Sequence, residues 1–420
     1  MFYNRGMDTL IKLEEIAVHM DLEPAEETAV FPPLHHTPPK VAPCGQLLSP
    51  NTPPTNVGYI KGQPQAAPRR LSRQEARQQA LGIFHATVSG SRTIPLLKTM
   101  LTTACERNCY YCPFRAGRSY RRVTFQPEEM ADSFMRLYRA GMVQGLFLSS
   151  GIIGGGARTQ DKLLNTVTTL RQKHRFKGYI HLKIMPGAEQ AQVETAATLA
   201  DRLSINLEAP NEGRLQAIAP KKQFAEELVR PLQWLAQYRE NNPHLRHAST
   251  TTQFVVGTGE NDLELLATAA YLHQQLKLAR TYYSAFRPIP DTPLEHLPPE
   301  NPLRQHRLYQ ASFLFRDYGF DLEEMPFTQA GYLPLDSDPK QAWAQLNLLH
   351  NPVEVNQADR EMLLRVPGIG PKGANAILAA RRRGRLSDLI HLRAIGVETK
   401  RPSAYVLLDG KRPLRQLSLW

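Results

Sequence analysis

The chain has 420 residues with 42% apolar residues, enough to bury one large core and a smaller second one. No apolar run approaches the length of a membrane span, and the first residues lack the features of a signal or transit peptide. We therefore expect a cytoplasmic protein with no membrane contact. The net charge is +12, and residues 361–420 alone hold twelve Lys and Arg against four Asp and Glu. Such a concentration is typical of a polyanion-binding surface, although a solvated basic face without a partner is the alternative.

A proline-rich segment dominates the N-terminal part of the chain. Residues 24–70 hold eleven of the 33 prolines and show little periodicity, which is typical of a flexible or polyproline-like segment. We therefore assign residues 1–75 to a mostly disordered extension without a catalytic role, although residues 8–20 have the pattern of a short helix. Cys44, one of four cysteines in the chain, lies in this extension.

From about residue 93, short β-rich runs alternate with amphipathic helical patterns. The alternation predicts an α/β fold, in which a parallel sheet with helices outside is curled into a partial or full (β/α) barrel over residues 76–335. Active sites in such barrels lie at the carboxyl ends of the strands. The strands are predicted at 96–102, 145–150, 179–185, 203–209, 250–257 and 281–286. The helices are predicted from Pro127 to about Gly141 and at 160–175, 189–202, 222–240 and 261–278.

Three cysteines follow the first predicted strand with the spacing CxxxCxxC: Cys105, Cys109 and Cys112, with Tyr111 just before the third. Three thiolates so close together can bind three irons of a [4Fe–4S] cube and leave the fourth iron open to a small molecule. A structural zinc site normally has four ligands, so it would need Cys44 or one of the thirteen histidines as the fourth. Disulfides are disfavoured because nothing marks the chain as secreted and three thiols leave one over. The open cluster is the favoured interpretation, and zinc is the alternative.

The pattern becomes helical after about residue 342 and predicts a small all-α domain over residues 343–410. The run 351–397 resembles the helix-hairpin-helix of DNA-binding domains, in which glycines permit a tight turn and the next helix opens with free backbone N–H groups that suit a phosphate. Such contacts reach the nucleic-acid backbone and do not read sequence. A hairpin used for protein contacts is the alternative. The candidate nucleic-acid-binding residues are Gly368, Ile369, Gly370, Lys372, Gly373, Arg381, Arg382 and Arg383.

The cysteine motif resembles that of the radical S-adenosylmethionine (radical SAM) enzymes. The resemblance implies a [4Fe–4S] cluster whose open iron binds the amino and carboxylate groups of S-adenosylmethionine. An electron from the reduced cluster then cleaves the sulfonium, and the resulting 5'-deoxyadenosyl radical abstracts hydrogen from a substrate. Ser149, Ser150 and Gly151, after the second predicted strand, occupy the position where the superfamily usually has Gly-Gly-Glu to receive the methionine amino group. Tyr111 is assigned with them to the cofactor-binding residues.

Polar residues on two further predicted strands are expected to face the barrel interior. Asn206 and Glu208, two residues apart, match positions that the superfamily often uses for the ribose or the methionine carboxylate. A satisfied structural pair is the alternative for them. His181 and Lys183 have the same spacing, and a buried ammonium favours a carboxylate or phosphate partner. No residue is assigned as catalytic.

At closer range, the chain resembles the DNA modification and repair group of radical SAM proteins, sometimes called uracil-DNA-glycosylase-linked. The resemblance spans roughly residues 93–400 and implies a nucleic-acid substrate, with DNA favoured over RNA, in DNA modification or repair. The partners it implies are an electron donor such as flavodoxin or ferredoxin and a glycosylase-like protein. The matching strings are Phe125–Glu129, 145–152, 178–188, 200–212 and 282–295.

Two other functions remain open at this point. The same radical chemistry could act on tRNA or other RNA, because contact between the hairpin and backbone phosphates does not exclude RNA. The chain could also be a non-catalytic nucleic-acid-binding protein with a structural Fe–S cluster or zinc. The Ser-Ser-Gly turn and the polar strand argue against this last interpretation.

Overall fold

The computed structural model describes residues 8–18, 20, 72–89, 92–245 and 248–413. Cys44 and the proline-rich residues 24–70 lie outside the described residues, as does most of the predicted extension. The predicted division of the chain into 1–75, 76–335 and 343–410 therefore stays a prediction.

Seven strands form one sheet whose spatial order follows the chain order. The first two strands pair antiparallel, and each later neighbouring pair is parallel. Within the described residues the first and last strands lie at the two edges, so the sheet is an open, curled half-barrel, which confirms the expected partial barrel. The strands are β1 (Ile83–Ser89), β2 (Arg92–Met100), β3 (Gly145–Ser149), β4 (Tyr179–Lys183), β5 (Arg202–Ser204), β6 (Ser249–Val256) and β7 (Arg280–Ala285).

Helices cover the sheet from outside, and most of them bury apolar side chains in the barrel core. Short π-helical segments at Thr169–Lys173 and Phe224–Val229 adjoin two of them. No helix in the described part of the chain is long and apolar enough to cross a membrane. The helices of this part are α1 (Thr9–Ala17), α2 (Arg73–Ala80), α3 (Pro127–Arg139), α4 (Gly156–Thr168), α5 (Gln190–Leu199), α6 (Glu212–Ile218), α7 (Arg230–Asn241), α8 (Asp262–Leu276) and α9 (Pro302–Tyr318).

Helix α3 illustrates how local sequence determines these elements. Pro127 occupies the first turn, where its missing N–H costs nothing, and Gln126 and Glu129 form a reciprocal capping box. Met130 and Phe134 then follow at helical spacing and are fully buried against the sheet.

Helix α1, within the predicted extension, packs against the barrel core. Leu13 and Ile16 are fully buried in the barrel core. Lys12 donates a hydrogen bond to Glu129 of α3 over 2.5 Å and another to the Thr124 carbonyl over 3.1 Å. Spacing of apolar residues predicted the helix, but its docking site lies more than a hundred residues away in sequence.

Three strands differ from the prediction. The sequence did not predict β1, and β2 begins and ends before the predicted strand 96–102. The predicted strand 203–209 is shortened to β5, because the chain leaves the ladder after Ser204 and Glu208 adopts a left-handed backbone with φ 65°. Asn206 and Glu208 therefore lie in the loop after the strand.

A second, smaller core forms the C-terminal part. Its helices form the predicted helical domain, and two short strands that the sequence did not predict pair in parallel between them. The helices are α10 (Pro339–Asn347), α11 (Arg360–Arg365), α12 (Pro371–Ala380) and α13 (Leu389–Ala394), and the strands are β8 (Val353–Glu354) and β9 (Val406–Leu407).

One guanidinium fastens the small domain to the barrel. Arg365, at the end of α11, donates to both carboxylate oxygens of Glu324 over 2.9 and 2.8 Å. It also donates to the carbonyls of Tyr318 and Gly319, at the end of α9. Its guanidinium lies 4.1 Å from the centre of the Phe320 ring. These contacts hold the hairpin domain against α9.

The loops after β2 and β3 approach each other very closely. Gly151 donates its N–H to the Thr102 carbonyl over 2.7 Å, and a Cβ at this position would lie 2.2 Å from the Ala104 carbonyl oxygen. Glu106 donates its backbone N–H to the Ile152 carbonyl over 2.8 Å. Position 151 must therefore be glycine, and the approach fixes the loop that carries the cysteines.

We expect Arg365→Ala to lower the free energy of unfolding by about 1–3 kcal/mol, because charge-assisted hydrogen bonds and ring packing are lost together. It should also make the junction between α9 and α11 more sensitive to limited proteolysis. Arg360→Ala is the matched control in the same helix, because Arg360 is exposed and bonds only to Asn375 of α12. Equal unfolding midpoints for the two variants would contradict the fastening role.

We expect Gly151→Ala to destabilise the protein by about 1–3 kcal/mol, because the added methyl group forces the two backbones apart. Chemical denaturation would measure the loss. Gly213→Ala is the control, since a Cβ there meets nothing closer than 3.6 Å and sits in a helix, where alanine is favoured. A Gly151 variant as stable as the control would show that the loops are free to move apart.

Candidate functional site

The loop after β2 brings three sulfur atoms to one cavity at the carboxyl ends of the strands. Cys109 is buried, whereas Cys105 and Cys112 are half-buried, and all three are free thiols. Backbone amides point at two of the sulfurs, from Ile152 N to Cys105 Sγ at 3.5 Å and from Phe114 N to Cys112 Sγ at 3.4 Å. The cavity has a volume of about 160 Å³.

Arg122 holds the cysteine loop in shape. The loop between Met100 and Pro127 has almost no regular secondary structure, so its carbonyl groups need other donors. The guanidinium of Arg122 stacks on the Tyr120 ring, 3.7 Å from the ring centre, and donates to four loop carbonyls. These are the carbonyls of Thr103 (2.9 Å), Phe114 (2.7 Å), Arg115 (2.8 Å) and Arg118 (3.2 Å).

The structure brings together all nine barrel residues that the sequence singled out for the cluster and its ligand. They come from the loops after three different strands and line the same cavity. The nine are Cys105, Cys109, Tyr111, Cys112, Ser149, Ser150, Gly151, Asn206 and Glu208.

The Ser-Ser-Gly turn presents oxygen atoms at the cavity wall. Ser149 and Ser150 are both buried, and the Ser150 hydroxyl donates to the Gly151 carbonyl over 2.7 Å. Hydroxyl and carbonyl oxygens here can accept from an ammonium group, as the sequence predicted for this turn.

The second polar group of the cavity lies beyond β5. Asn206 donates its amide to Gln253 Oε1 of β6 over 3.2 Å. Glu208 makes an isolated parallel bridge with Phe254, and its carboxylate faces the cavity. Of the other two expected residues, Lys183 lines the cavity, whereas the His181 ring contacts the Ser204 hydroxyl at 2.9 Å.

Lys222 is the cavity residue that sequence reasoning missed. It follows α6, is buried, and its ammonium donates to Glu208 Oε1 over 3.0 Å and to Tyr111 Oη over 3.4 Å. The only signal in the sequence was a pair of adjacent lysines, Lys221 and Lys222, which does not reveal that one of them is buried.

Burial determines the protonation of this site. It raises the pKa of the Cys109 and Cys112 thiols above their ordinary value, and the Lys222 ammonium acts in the opposite direction on both. Burial and the charge of Glu208 raise the pKa of Tyr111, so the phenol stays neutral. Cysteine binds a metal as the thiolate, so metal binding at this site would release the thiol protons.

Cys105, Cys109 and Cys112 supply the three sulfurs that an open cluster needs. Within the described residues, no set of three or more His, Cys, Asp and Glu side chains converges tightly enough to hold one metal ion. A structural zinc needs four ligands at about 2.0–2.3 Å from one point. Three sulfurs around the wall of a cavity instead suit a cube, in which each thiolate binds a different iron. The donor set therefore fits a [4Fe–4S] cluster better than zinc.

The hairpin residues lie together at the turn between α11 and α12. Gly368 has φ 85°, which favours glycine, and Gly370 caps α12 without any side-chain hydrogen bond to its first N–H groups. Lys372 is exposed beside them, and Gly373 follows it in the first turn. This is the arrangement that the sequence predicted for phosphate contact.

Two of the candidate nucleic-acid-binding residues make contacts within the protein. The Ile369 side chain is fully buried in the small core, and its carbonyl accepts from Lys340 Nζ over 2.7 Å. Arg381 donates to the carbonyl of Ala358 over 2.5 Å, which holds it against its own domain. Arg382 and Arg383 are exposed at the end of α12.

Two family models match the chain. Residues 99–272 match the radical SAM superfamily, and residues 353–380 match the helix-hairpin-helix motif. No curated protein matches the chain.

Several solved structures are similar at low identity. The FeFe-hydrogenase maturase HydG from Carboxydothermus hydrogenoformans is 16% identical, with 52% of this chain and 50% of that chain covered and a TM-score of 0.43. Methylornithine synthase (PylB) is 16% identical, with 57% and 65% covered and a TM-score of 0.42. Coproporphyrinogen III oxidase (HemN) from Escherichia coli is 15% identical, with 53% and 52% covered and a TM-score of 0.35. The match thus spans about half the length of HydG.

The superfamily match confirms the expectation of an enzyme, and the cofactors of that superfamily are the expected [4Fe–4S] cluster and S-adenosylmethionine. The chain therefore contains a radical SAM domain at residues 99–272, followed by a helix-hairpin-helix motif at residues 353–380.

Proposed function

We propose that Cys105, Cys109 and Cys112 hold a [4Fe–4S] cluster and that the protein is a radical SAM enzyme acting on nucleic acid, with DNA favoured over RNA. When bound, the cluster and S-adenosylmethionine supply a 5'-deoxyadenosyl radical that abstracts hydrogen. The task is modification or repair of DNA, in the cytoplasm.

One observation carries the proposal. The three cysteines and the six residues assigned to the cofactor, which come from the loops after three strands, line a single cavity in a chain that also has a hairpin motif. Neither the convergence nor the second motif is required by the barrel fold itself, since the same fold supports many activities.

The chain's own residues have distinct tasks in this proposal. Ser149 and Ser150 offer oxygens to the methionine ammonium, and Asn206 and Glu208 offer polar groups to the ribose or carboxylate. Tyr111 packs beside the cysteines as a neutral phenol. Burial of the cavity excludes water and competing hydrogen donors from the radical.

The hairpin motif supports the nucleic-acid part of the proposal. Free N–H groups at the start of α12 and the exposed Lys372 suit a backbone phosphate. A target base in a duplex would have to be unstacked to reach the cavity. The partners in this proposal are an electron donor of the flavodoxin or ferredoxin class and a glycosylase-like protein.

The decisive experiment is anaerobic reconstitution with iron and sulfide, followed by reduction with dithionite in the presence of S-adenosylmethionine. Release of 5'-deoxyadenosine is measured with duplex DNA, single-stranded DNA, tRNA or no nucleic acid. Product that rises with DNA, and most with single-stranded DNA, supports the proposal. Product that rises with tRNA alone would move the substrate to RNA. No product from an intact cluster would favour a non-catalytic protein.

We expect Cys105→Ala, Cys109→Ala and Cys112→Ala each to abolish 5'-deoxyadenosine release, because the loss of one thiolate leaves a second iron unanchored. The optical and electron paramagnetic resonance (EPR) spectra of the cluster should be lost with it. Cys44→Ala is the matched control and should retain both. Loss of the cluster in the control would revive a site with four cysteine ligands.

We expect Lys372→Ala to weaken duplex binding and to reduce the slope of log K against log salt by about 1, as the loss of one phosphate contact predicts. Cleavage of S-adenosylmethionine without DNA should be unaffected. Lys173→Ala, which removes an exposed cation on the barrel, is the control. A slope equal to that of the unmodified protein would remove Lys372 from the nucleic-acid interface.

A further inference from the structure

A buried ion pair forms part of the cavity wall beside the cysteines. Lys222 Nζ and Glu208 Oε1 are 3.0 Å apart, and both side chains are only 8% exposed. Burying such a pair is unfavourable, because removing each charge from water costs several kcal/mol that the attraction between the two charges must offset. A buried pair of this kind adds little to stability compared with apolar packing, so its presence at this cavity calls for another reason.

The lysine lies within the reach of the cysteine loop. Its ammonium is 3.4 Å from Tyr111 Oη, and Tyr111 directly precedes Cys112. Lys222, Glu208 and the three cysteines line the same small cavity. Burial lowers the pKa of Lys222, but the charge of Glu208 and the hydrogen bond between the two side chains act in the opposite direction, and the pKa is raised above its ordinary value. The site thus combines a permanent cation with an anion whose charge opposes it.

A charge beside the cluster would affect how readily the cluster accepts an electron. The reduction potential of an Fe–S cluster depends on net charge, hydrogen bonds and solvent exposure around it. Reduction adds one electron, supplied by an external donor of the flavodoxin or ferredoxin class, and makes the cluster one unit more negative. A buried cation stabilises that reduced form and a buried carboxylate destabilises it, with little screening by water.

We propose that Lys222 and Glu208 set the reduction potential of the cluster, Lys222 raising it and Glu208 lowering it. The inference rests on the proposed cluster at the three cysteines. Both residues are positioning residues in this role, because they act on the cluster through space and not as ligands of iron.

The test is an EPR-monitored redox titration of the reconstituted full-length protein without S-adenosylmethionine. Lys222→Met keeps the length of the side chain and removes its charge, so the midpoint potential should shift to a more negative value. Glu208→Gln should shift it in the opposite direction, and Lys222→Arg should restore a value near that of the unmodified protein. Opposite signs for the two neutral variants are the signature of charge, since damage to packing would not reverse its sign.

The chain offers a matched control. Lys12 and Glu129 form another largely buried lysine–glutamate pair, 2.5 Å apart, that does not line the cavity. Lys12→Met should leave the midpoint potential unchanged. If Lys222→Met fails to assemble a cluster, the result for Glu208→Gln decides the test. A more positive midpoint potential is expected for Glu208→Gln whether or not Lys222→Met can be measured.

The outcomes separate this inference from the proposed function. Unchanged potentials in Lys222→Met and Glu208→Gln, or shifts of the same sign, would overturn the inference and leave the cluster in place. A change confined to the affinity for S-adenosylmethionine would also overturn it and make Lys222 a ligand of that cofactor. Absence of any reducible cluster in the unmodified protein would instead overturn the proposed function itself.

Discussion

The site depends on one constraint: a long irregular loop must satisfy its own backbone groups while it holds three thiols at a cavity. Helices and strands satisfy their carbonyl groups internally, but the segment between β2 and α3 does not. Arg122 meets this need by donating hydrogen bonds to four carbonyls at once. The close approach at Gly151 then presses the next loop against the first. Cysteine positions are thus set by backbone contacts and not by the metal alone.

The cavity combines groups that are costly to bury. Burial raises the pKa of the Cys109 and Cys112 thiols, and the buried lysine–glutamate pair costs desolvation free energy. Ion pairs are buried elsewhere in the barrel too, as Arg304 with Glu260 and Asp262 shows, but the Lys222–Glu208 pair is the one that lines the cavity of the cysteines. Perturbed ionisable groups that converge in a cavity are typical of functional sites.

The sequence predicted the parts of the molecule that depend on local patterns. Alternating apolar runs located six strands, the cysteine spacing located the site, and the glycines of the hairpin turn located the second domain. Local patterns did not predict contacts between residues that are far apart in the chain. Lys222 contacts Tyr111 across 111 positions, and the residues that join α1 to α3 are 117 positions apart. Strand β5 was predicted too long because apolar alternation continues after the ladder ends, where Glu208 turns the backbone.

Ile369 and Arg381 show the same limit in the hairpin domain. Both lie in a motif whose residue types suit phosphate contact, yet burial of one side chain and internal hydrogen bonds of the other are decided by packing. Position in a motif indicates the path of the backbone more reliably than it indicates which side chains remain accessible.

The fastening by Arg365 has a consequence for how a nucleic acid would be handled. It ties the hairpin to the end of α9, a helix of 17 residues and so about 26 Å long, which itself packs on the last strand through Tyr283 and Ser312. The hairpin domain and the barrel are therefore joined through a packed helix and not through a flexible linker. In the proposed function, a nucleic acid bound at the hairpin would therefore be held at a fixed position relative to the barrel.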